Sequence, residues 1–214
     1  VFNDVDLPET AQALVNAITF HTGQVCCDAT RWLVQRDIYD DFVGECVKRM
    51  KSVQIGYQFD DGAQMGPVVN VKQAERIAGY IDSGRAAGAE VRVGGARGGP
   101  QGTFIEPTVL TRVRPYMKVV REEIFGPVLA VQTFRTLDEV VEKANQIPYG
   151  LSAGVWTVNG ARIFQLTTRL RAGVVWANAY NRFDPASPFG GYKESGFGRE
   201  GGIPGLQAYL HLHA

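Results

Sequence analysis

Two adjacent cysteines, Cys26 and Cys27, are the first residues of the sequence whose type and position could do chemistry. They follow a predicted turn at Gly23, where a cysteine can be partly exposed and nearby backbone N–H groups can point into one small volume. That setting suits a nucleophilic thiolate. The structural alternative is that both are small buried hydrophobic residues, as most free cysteines are. The third cysteine, Cys46, lies on the apolar stripe of a predicted helix and is expected in the core.

A second candidate is the stretch 122–127, in which two glutamates precede an aromatic residue and a Gly-Pro turn. A carboxylate placed before such a turn could bind the hydroxyl groups of a ribose. The alternative is that the two glutamates simply lie at a solvent-exposed edge of the fold, because charged side chains mostly stay in water.

A third candidate is the irregular stretch 187–200, where Phe189, Tyr192 and Phe197 are interspersed with glycines. The glycines indicate that the backbone passes close to another group. A flexible linker is the alternative, but linkers rarely carry aromatic residues at this density, since aromatic side chains bring burial.

The elements that must position these residues follow from the spacing of apolar side chains. Helical spacing predicts helices at 7–18, 37–53, 70–87, 137–146 and 161–170. Short apolar runs predict strands at 31–36, 90–93, 103–105, 128–134, 151–156 and 174–177. This alternation is typical of βαβ crossovers, so we expect an α/β fold with a mostly parallel sheet and helices on both faces. Apolar residues at every second position of the tail 208–213 predict one more strand, which would need a neighbouring strand to pair with.

The glycine-rich run 94–99 could form a phosphate-binding loop or a hairpin turn. A dinucleotide-binding loop opens a helix whose N-terminus faces the phosphates, whereas here a predicted strand follows. We therefore predict a hairpin.

Composition excludes several classes of function. The 214 residues include 22 Lys and Arg against 22 Asp and Glu, so no basic excess exists to bind nucleic acid or an anionic membrane surface. No apolar run approaches the roughly 20 residues that span a bilayer. An odd number of cysteines, two of them adjacent, indicates a reducing compartment, and we expect a cytoplasmic protein. No Cys-x-x-Cys occurs and His21 lies far from the two histidines of the tail, so no metal site is expected.

Four motifs, in the order FHTGQVCCDATR, REEIFGPV, YGLSAGVW and SPFGGYKESGFGRE, together resemble the C-terminal half of the aldehyde dehydrogenase superfamily. The resemblance covers essentially the whole chain. It implies a catalytic domain at 1–194, followed at 195–214 by a C-terminal segment with an oligomerisation strand. It also implies that the family's N-terminal dinucleotide-binding domain is absent from this chain.

The resemblance further implies roles for individual residues. Cys26 matches the family's nucleophile, whose thiolate attacks an aldehyde to give a thiohemiacetal, and then a thioester after hydride transfer to NAD or NADP. Glu123 matches the acid that binds the nicotinamide ribose, and Phe125 packs near the nicotinamide. Phe183 and Phe189 match the aromatic wall of the tunnel for the aldehyde.

The resemblance leaves two hypotheses for the function. The first is the catalytic part of an NAD(P)-dependent aldehyde dehydrogenase that works as a homo-oligomer, a dimer or tetramer, joined through the tail from Tyr209. The alternative is a non-catalytic structural or oligomerisation module derived from such an enzyme. The family's general-base glutamate and oxyanion-hole asparagine belong to the absent half, and the chain opens without Met, so we expect a fragment that is inactive alone. The residues present do not distinguish NAD from NADP, because the adenosine ribose is bound in the absent half.

Overall fold

The computed structural model describes residues 1–99 and 102–211. Its helices are α1 Leu7–Thr19, α2 Tyr39–Ser52, α3 Val71–Ala86, α4 Lys118–Arg121, α5 Leu137–Asn145, α6 Gly160–Arg169 and α7 Gly202–Gln207. Its strands are β1 Arg31–Gln35, β2 Glu90–Val93, β3 Thr108–Thr111, β4 Val128–Phe134, β5 Tyr149–Gly150, β6 Ser152–Val155, β7 Val174–Ala177 and β8 Tyr192–Lys193. Short 3₁₀ turns follow α1, at Phe20–Gly23, and β1, at Arg36–Ile38.

The principal sheet has four strands in the order β1-β4-β3-β2. β1 and β3 both run parallel to β4, with Arg31 opposite Ala130, and only β2 is antiparallel to its neighbour. β6 and β7 form a second, parallel pair, and β5 pairs with β8 in antiparallel fashion. The prediction of an α/β fold with a mostly parallel sheet is confirmed.

Alternation along β4 explains why helices cover both faces of the sheet. Leu129 and Val131 pack into a core with α1 and α2, whereas Val128 and Ala130 pack into a core with α3 and α4. Successive side chains of a strand point to opposite faces, so a strand buried on both faces is apolar throughout. The predicted core position of Cys46, on α2, is confirmed.

The first two residues connect the principal sheet to the second pair of strands. The Val1 nitrogen donates to the Leu33 carbonyl at 2.8 Å, and the Gln35 amide donates to the Val1 carbonyl at 2.9 Å. The Phe2 amide donates to the Trp156 carbonyl, just past β6, at 3.0 Å. Val1 and Phe2 therefore lie between β1 and β6 and hydrogen-bond to both sides.

Side-chain caps fix where the helices begin. The Asp6 carboxylate accepts the Glu9 amide at 2.8 Å before α1. The Asn70 side chain accepts the Gln73 amide at 2.9 Å before α3. Each cap satisfies a backbone donor that has no partner inside its helix. The start of α3 matters for the site, because its first two turns face the stretch 122–127.

The predicted hairpin around 94–99 is confirmed by the antiparallel pairing of β2 with β3 and by a bridge between Arg97 and Ile105. The predicted strand at 103–105 is wrong, because only Ile105 makes a bridge and the strand itself is β3, three residues farther on. All four residues of β3 are buried, so this strand lacks the alternation of buried and exposed residues by which a sequence reveals a strand.

The predicted tail strand is also wrong over residues 208–211. α7 ends at Gln207 and passes into a turn at Ala208 and Tyr209, so apolar residues at every second position do not lie in a strand there. The rest of the predicted strand, 212–213, lies outside the described residues.

Candidate active site

The loop that carries Cys26 begins where α1 ends. His21, Thr22 and Gly23 all have positive φ, at 49°, 60° and 68°, so the chain turns sharply before the cysteines. The Thr22 hydroxyl donates to the Gly66 carbonyl at 3.1 Å, and the Gln24 side-chain oxygen accepts the Val69 amide at 3.0 Å. Both contacts tie the loop to the segment that leads into α3.

Gly23 brings this loop against the stretch 122–127. A Cβ at Gly23 would overlap the carbonyl group of Gly126, so the two backbones touch at a point where no other side chain fits. A substitution there would also be strained by the positive φ of Gly23. The first and second candidate stretches, far apart in sequence, are therefore in direct contact.

The three thiols differ sharply in accessibility. Cys26 is exposed, whereas Cys27 and Cys46 are buried. Burial raises the pKa of Cys27 to about 12, and burial likewise raises the pKa of Cys46. The Cys27 thiol points to the Asn181 side-chain oxygen at 3.3 Å. Of these three thiols, only Cys26 is open to an incoming electrophile.

The peptide after Cys26 is anchored to β6. The Ser152 hydroxyl donates to the Cys27 carbonyl at 3.1 Å and lies 3.3 Å from the Tyr180 hydroxyl. The Tyr180 side chain is partly buried, and desolvation of its hydroxyl raises the pKa above the usual range. This hydrogen-bonded chain fixes the backbone on which the exposed thiol sits.

Helix α3 holds the second candidate stretch by its backbone. The Gln73 amide group donates to the carbonyls of Ile124 and Phe125, at 3.1 and 2.8 Å. The Arg76 guanidinium donates to the carbonyls of Glu123 and Ile124, at 2.6 and 3.0 Å. These four bonds leave the Glu123 carboxylate exposed and hold Phe125 in a conformation with φ of 60°, which is uncommon for a residue with a side chain.

Cys26, Glu123 and Phe125 all line one cavity of about 440 Å³. The sequence predicts a role for each of them but says nothing of their proximity, which depends on the contact of Gly23 with Gly126. The cavity has the size and mixed lining of a small-molecule site. An exposed thiol, a carboxylate and an aromatic ring therefore face one space.

Phe183 and Phe189 lie at the far end of a row of aromatic rings. Phe183 meets Phe189 edge to face at a centroid distance of 5.0 Å, and meets Trp176 at 5.5 Å. Trp176 in turn contacts Tyr180 at 4.8 Å, and Tyr180 lines the cavity. Neither phenylalanine is among the residues that line the cavity, so the row connects them to it only through Tyr180.

The third candidate stretch is folded tightly on itself. Phe189 and Glu200 exchange two backbone hydrogen bonds of 2.7 Å, and the Arg199 guanidinium donates to the Gly191 carbonyl at 2.9 Å. A Cβ at Gly190 would overlap the Gly198 carbonyl oxygen. The close backbone approach that the glycines predict is thus an approach of the stretch to itself.

Asp28 is a site residue that the sequence reasoning missed. Its carboxyl group accepts the Ala29 amide at 2.8 Å through one oxygen, while the other oxygen is buried without a partner in the described part of the chain. Burial raises the pKa of Asp28 to about 8. An acid directly after a cysteine pair is the one sequence signal that could have drawn attention to it.

Residues 1–99 and 102–211 contain neither a candidate metal site nor a candidate membrane-spanning helix. No cluster of three or more His, Cys, Asp or Glu side chains there could hold a metal ion. No helix there combines the length and the apolar character needed to cross a membrane.

The model of the aldehyde dehydrogenase family matches residues 1–214. The chain belongs to this family. A putative aldehyde dehydrogenase-like protein of Schizosaccharomyces pombe is 45% identical over 214 residues, which are 100% of this chain and 42% of that protein. Cytosolic aldehyde dehydrogenase 1 of Rattus norvegicus is 41% identical over 99% of this chain and 42% of its own length. The chain therefore spans less than half the length of these relatives.

Solved structures of the family share the fold. The NAD⁺ complex of betaine aldehyde dehydrogenase from Staphylococcus aureus superimposes with a TM-score of 0.95 at 38% identity, over 98% of this chain and 42% of that one. An aldehyde dehydrogenase from Bacillus cereus gives a TM-score of 0.95 at 43% identity, over 98% of this chain and 43% of that one. The predicted family and fold class are confirmed.

Proposed function

We propose that this chain supplies the nucleophile-bearing part of an enzyme that oxidises an aldehyde to a carboxylic acid with NAD⁺ or NADP⁺. The observation that carries the proposal is the cavity shared by the exposed Cys26, the Glu123 carboxylate and the Phe125 ring. Membership of the aldehyde dehydrogenase family supports it, as does the NAD⁺ complex of the Staphylococcus aureus relative.

The chemistry of the cavity fits the nicotinamide end of such a cofactor. An exposed carboxylate accepts hydrogen bonds from the two hydroxyls of a ribose, which is the role we assign to Glu123. The half-buried Phe125 ring would lie against the nicotinamide. NAD(P)⁺, when bound, supplies an acceptor for the hydride. The four bonds from α3 keep both residues in place while the cofactor binds.

Cys26 would act on the aldehyde itself. Its thiolate attacks the carbonyl carbon, and the backbone N–H of Cys26 stabilises the oxyanion of the thiohemiacetal. Loss of the hydride leaves a thioester, which water cleaves to release the carboxylic acid and the free thiol. Because a thiohemiacetal is bound to the loop that Ser152 anchors, its carbon stays in one position while the hydride leaves.

Association with further copies of the chain is part of the proposal. Phe197, Ile203 and Tyr209 are 96%, 76% and 87% exposed near the C-terminus, and large apolar side chains exposed in one segment favour a protein interface. We propose a homo-oligomer, a dimer or tetramer, and a cytoplasmic location. A structural module without activity would use the same exposed side chains, and this is the second candidate function.

The decisive experiment compares two neighbouring thiols in the longest natural protein that carries this chain. NAD(P)H formation from a reactive aldehyde is followed by absorbance for the parent, for Cys26→Ala and for Cys27→Ala. We expect Cys26→Ala to abolish turnover and Cys27→Ala to retain most of it, because only Cys26 is exposed. If the unsubstituted natural protein forms its oligomer but does not oxidise aldehydes, the structural module is favoured.

A further inference from the structure

The stretch 122–127 begins with two adjacent glutamates, and the proposed function uses only the second. Glu123 is assigned to the ribose, which leaves the exposed Glu122 without a role. In the described part of the chain, Glu122 makes no salt bridge with a Lys or Arg side chain. Its carboxylate accepts a hydrogen bond from the Tyr80 hydroxyl of α3 at 2.9 Å. The first glutamate is therefore attached to the helix that also holds the backbone of the stretch.

Three side chains of α3 contact the stretch in a row. Gln73, Arg76 and Tyr80 are spaced by three and four residues, so they lie on one face of the helix. Gln73 and Arg76 bond to the backbone carbonyls of residues 123–125, whereas Tyr80 bonds to the Glu122 side chain. The row therefore fixes the path of the backbone and, separately, the direction of the first glutamate.

The Tyr80 hydroxyl links the Arg76 guanidinium to the Glu122 carboxylate. Arg76 Nη2 donates to the Tyr80 hydroxyl oxygen at 3.4 Å and to the Glu123 carbonyl at 2.6 Å. The Arg76 guanidinium carbon also lies 5.2 Å from the centre of the Tyr80 ring. Since the hydroxyl accepts from the cation and donates to the carboxylate, removing this one oxygen breaks both contacts.

The Tyr80 hydroxyl keeps the proton that this arrangement needs. A carboxylate can only accept a hydrogen bond, so Tyr80 must be the donor. Desolvation by burial and the hydrogen bond to Glu122 raise the pKa of Tyr80 above its usual value. The donor is therefore present throughout the neutral pH range.

The backbone at Glu122 turns the second carboxylate away from α3. Glu122 has φ of −109° and ψ of 153°, an extended conformation in which successive side chains point to opposite sides. Ile124, two residues after Glu122, is buried in the core that α3 helps to form, whereas Glu123 and Phe125 line the cavity. Holding Glu122 against α3 therefore directs Glu123 at the cavity.

We propose that the Tyr80 hydroxyl and the Glu122 carboxylate form a positioning pair for Glu123. Neither group contacts the cofactor. The pair sets the direction of the Glu123 carboxylate, and so the place at which the nicotinamide ribose is bound. The inference rests on the proposed function, in which Glu123 binds the ribose. The two successive acids then have different tasks, since the first is the anchor and the second is the ligand.

The test measures recognition of the ribose in the longest natural protein that carries this chain. Dissociation constants are compared for NAD(P)⁺ and for the analogue that lacks the 2′-hydroxyl of the nicotinamide ribose. Glu123→Gln should reduce the preference for the natural cofactor, and Tyr80→Phe and Glu122→Ala should each reduce it about three- to tenfold. The double variant should lose no more than either single variant, because the two groups act as one pair.

A conservative variant and two matched controls separate positioning from stability. Glu122→Gln should keep most of the preference, because its carbonyl oxygen can still accept from the Tyr80 hydroxyl. Tyr116→Phe, elsewhere on the surface, and Glu75→Ala, on α3, alter exposed side chains and should leave the preference unchanged. A general loss of stability would weaken the binding of both cofactors alike, so it would not change their ratio.

The outcomes distinguish this inference from the proposed function. Full preference in Tyr80→Phe, with loss of preference in Glu123→Gln, would overturn the positioning pair alone, as would additive effects in the double variant. Loss of preference in Tyr80→Phe in a protein that oxidises no aldehyde would support the pair and contradict the proposed oxidation. Binding of neither NAD⁺ nor NADP⁺ by the unsubstituted protein would overturn both.

Discussion

The buried carboxyl group of Asp28 makes stability depend on pH at a single residue. Burial raises its pKa to about 8, so the folded chain keeps the proton between the ordinary pKa of 3.8 and that value, whereas the unfolded chain releases it. The folded state then binds more protons, and the free energy of unfolding falls as pH rises from 4 to 8, by up to about 1.4 kcal/mol per pH unit.

Asp28→Asn should therefore stabilise the chain increasingly from pH 4 to pH 8. The amide cannot ionise, so the free energy of unfolding of the variant lacks the pH dependence that Asp28 causes. The contributions of the other titrating groups cancel in the difference between the two proteins. Urea unfolding at a series of pH values measures it, with the exposed Asp61→Asn as control. A difference that stays constant with pH would show that the Asp28 carboxyl ionises normally in the folded state.

Single residues differ in how far the sequence reveals them. The motif around Cys26 identifies the nucleophile candidate, and the helical stripe identifies Cys46 as core, because both depend on local pattern. Asp28 has only the weak signal of an acid directly after a cysteine pair, because its burial depends on tertiary packing that local pattern does not reveal. The roles assigned to Cys26, Glu123, Phe125, Phe183 and Phe189 stay predictions, and the two phenylalanines reach the cavity only through other rings.

Helix α3 acts on the site through the Arg76 guanidinium, which bonds to two carbonyls of the stretch 122–127. Arg76→Ala should slow the hydride step on the order of ten- to hundredfold in the longest natural protein that carries this chain, since misplaced reacting groups lose rate. Cofactor affinity should change less, because most of the cofactor would bind elsewhere. Arg76→Lys keeps the charge but loses the two-pronged guanidinium, so its hydride step should have a rate between those of the unsubstituted protein and Arg76→Ala.

Single-turnover kinetics measure the rate of the hydride step separately from cofactor affinity for the Arg76 variants. Lys72→Ala, an exposed change in the first turn of the same helix, is the matched control and should leave the hydride step unchanged. If Arg76→Ala and Lys72→Ala behave alike, α3 does not position Glu123 and Phe125.

Helices and strands whose apolar residues recur at a regular spacing can be predicted from the sequence, whereas fully buried or irregular elements cannot. The prediction 70–87 matches α3 within one residue at each end, because a cap and a stripe mark it. β3 escapes prediction because every residue in it is buried, and the alternating tail is misleading because its first half is a helix end and a turn. The pairing of β1 with β4 involves distant segments, which local pattern cannot specify.

At the scale of the whole molecule, we expect the 214-residue chain alone not to oxidise aldehydes with NAD(P)⁺. It spans 42% of the Rattus norvegicus relative, and the resemblance places the dinucleotide domain and the general base outside it. General-base assistance contributes roughly 100- to 10,000-fold in rate, so thioester cleavage would be slow. NADH formation with purified chain and its Cys26→Ala variant measures this. Turnover near that of the longest natural protein, dependent on Cys26, would contradict the expectation.

The backbone contact of Gly23 with Gly126 has a mechanical consequence for the entire site. Two loops that touch without intervening side chains cannot move closer together, so the cavity cannot narrow on this side and any closing motion must come from its other walls. The two glycines differ in what a side chain would meet. At Gly23 it would collide with the Gly126 backbone and force the loops apart, whereas at Gly126 it would collide with the Ile77 side chain of α3.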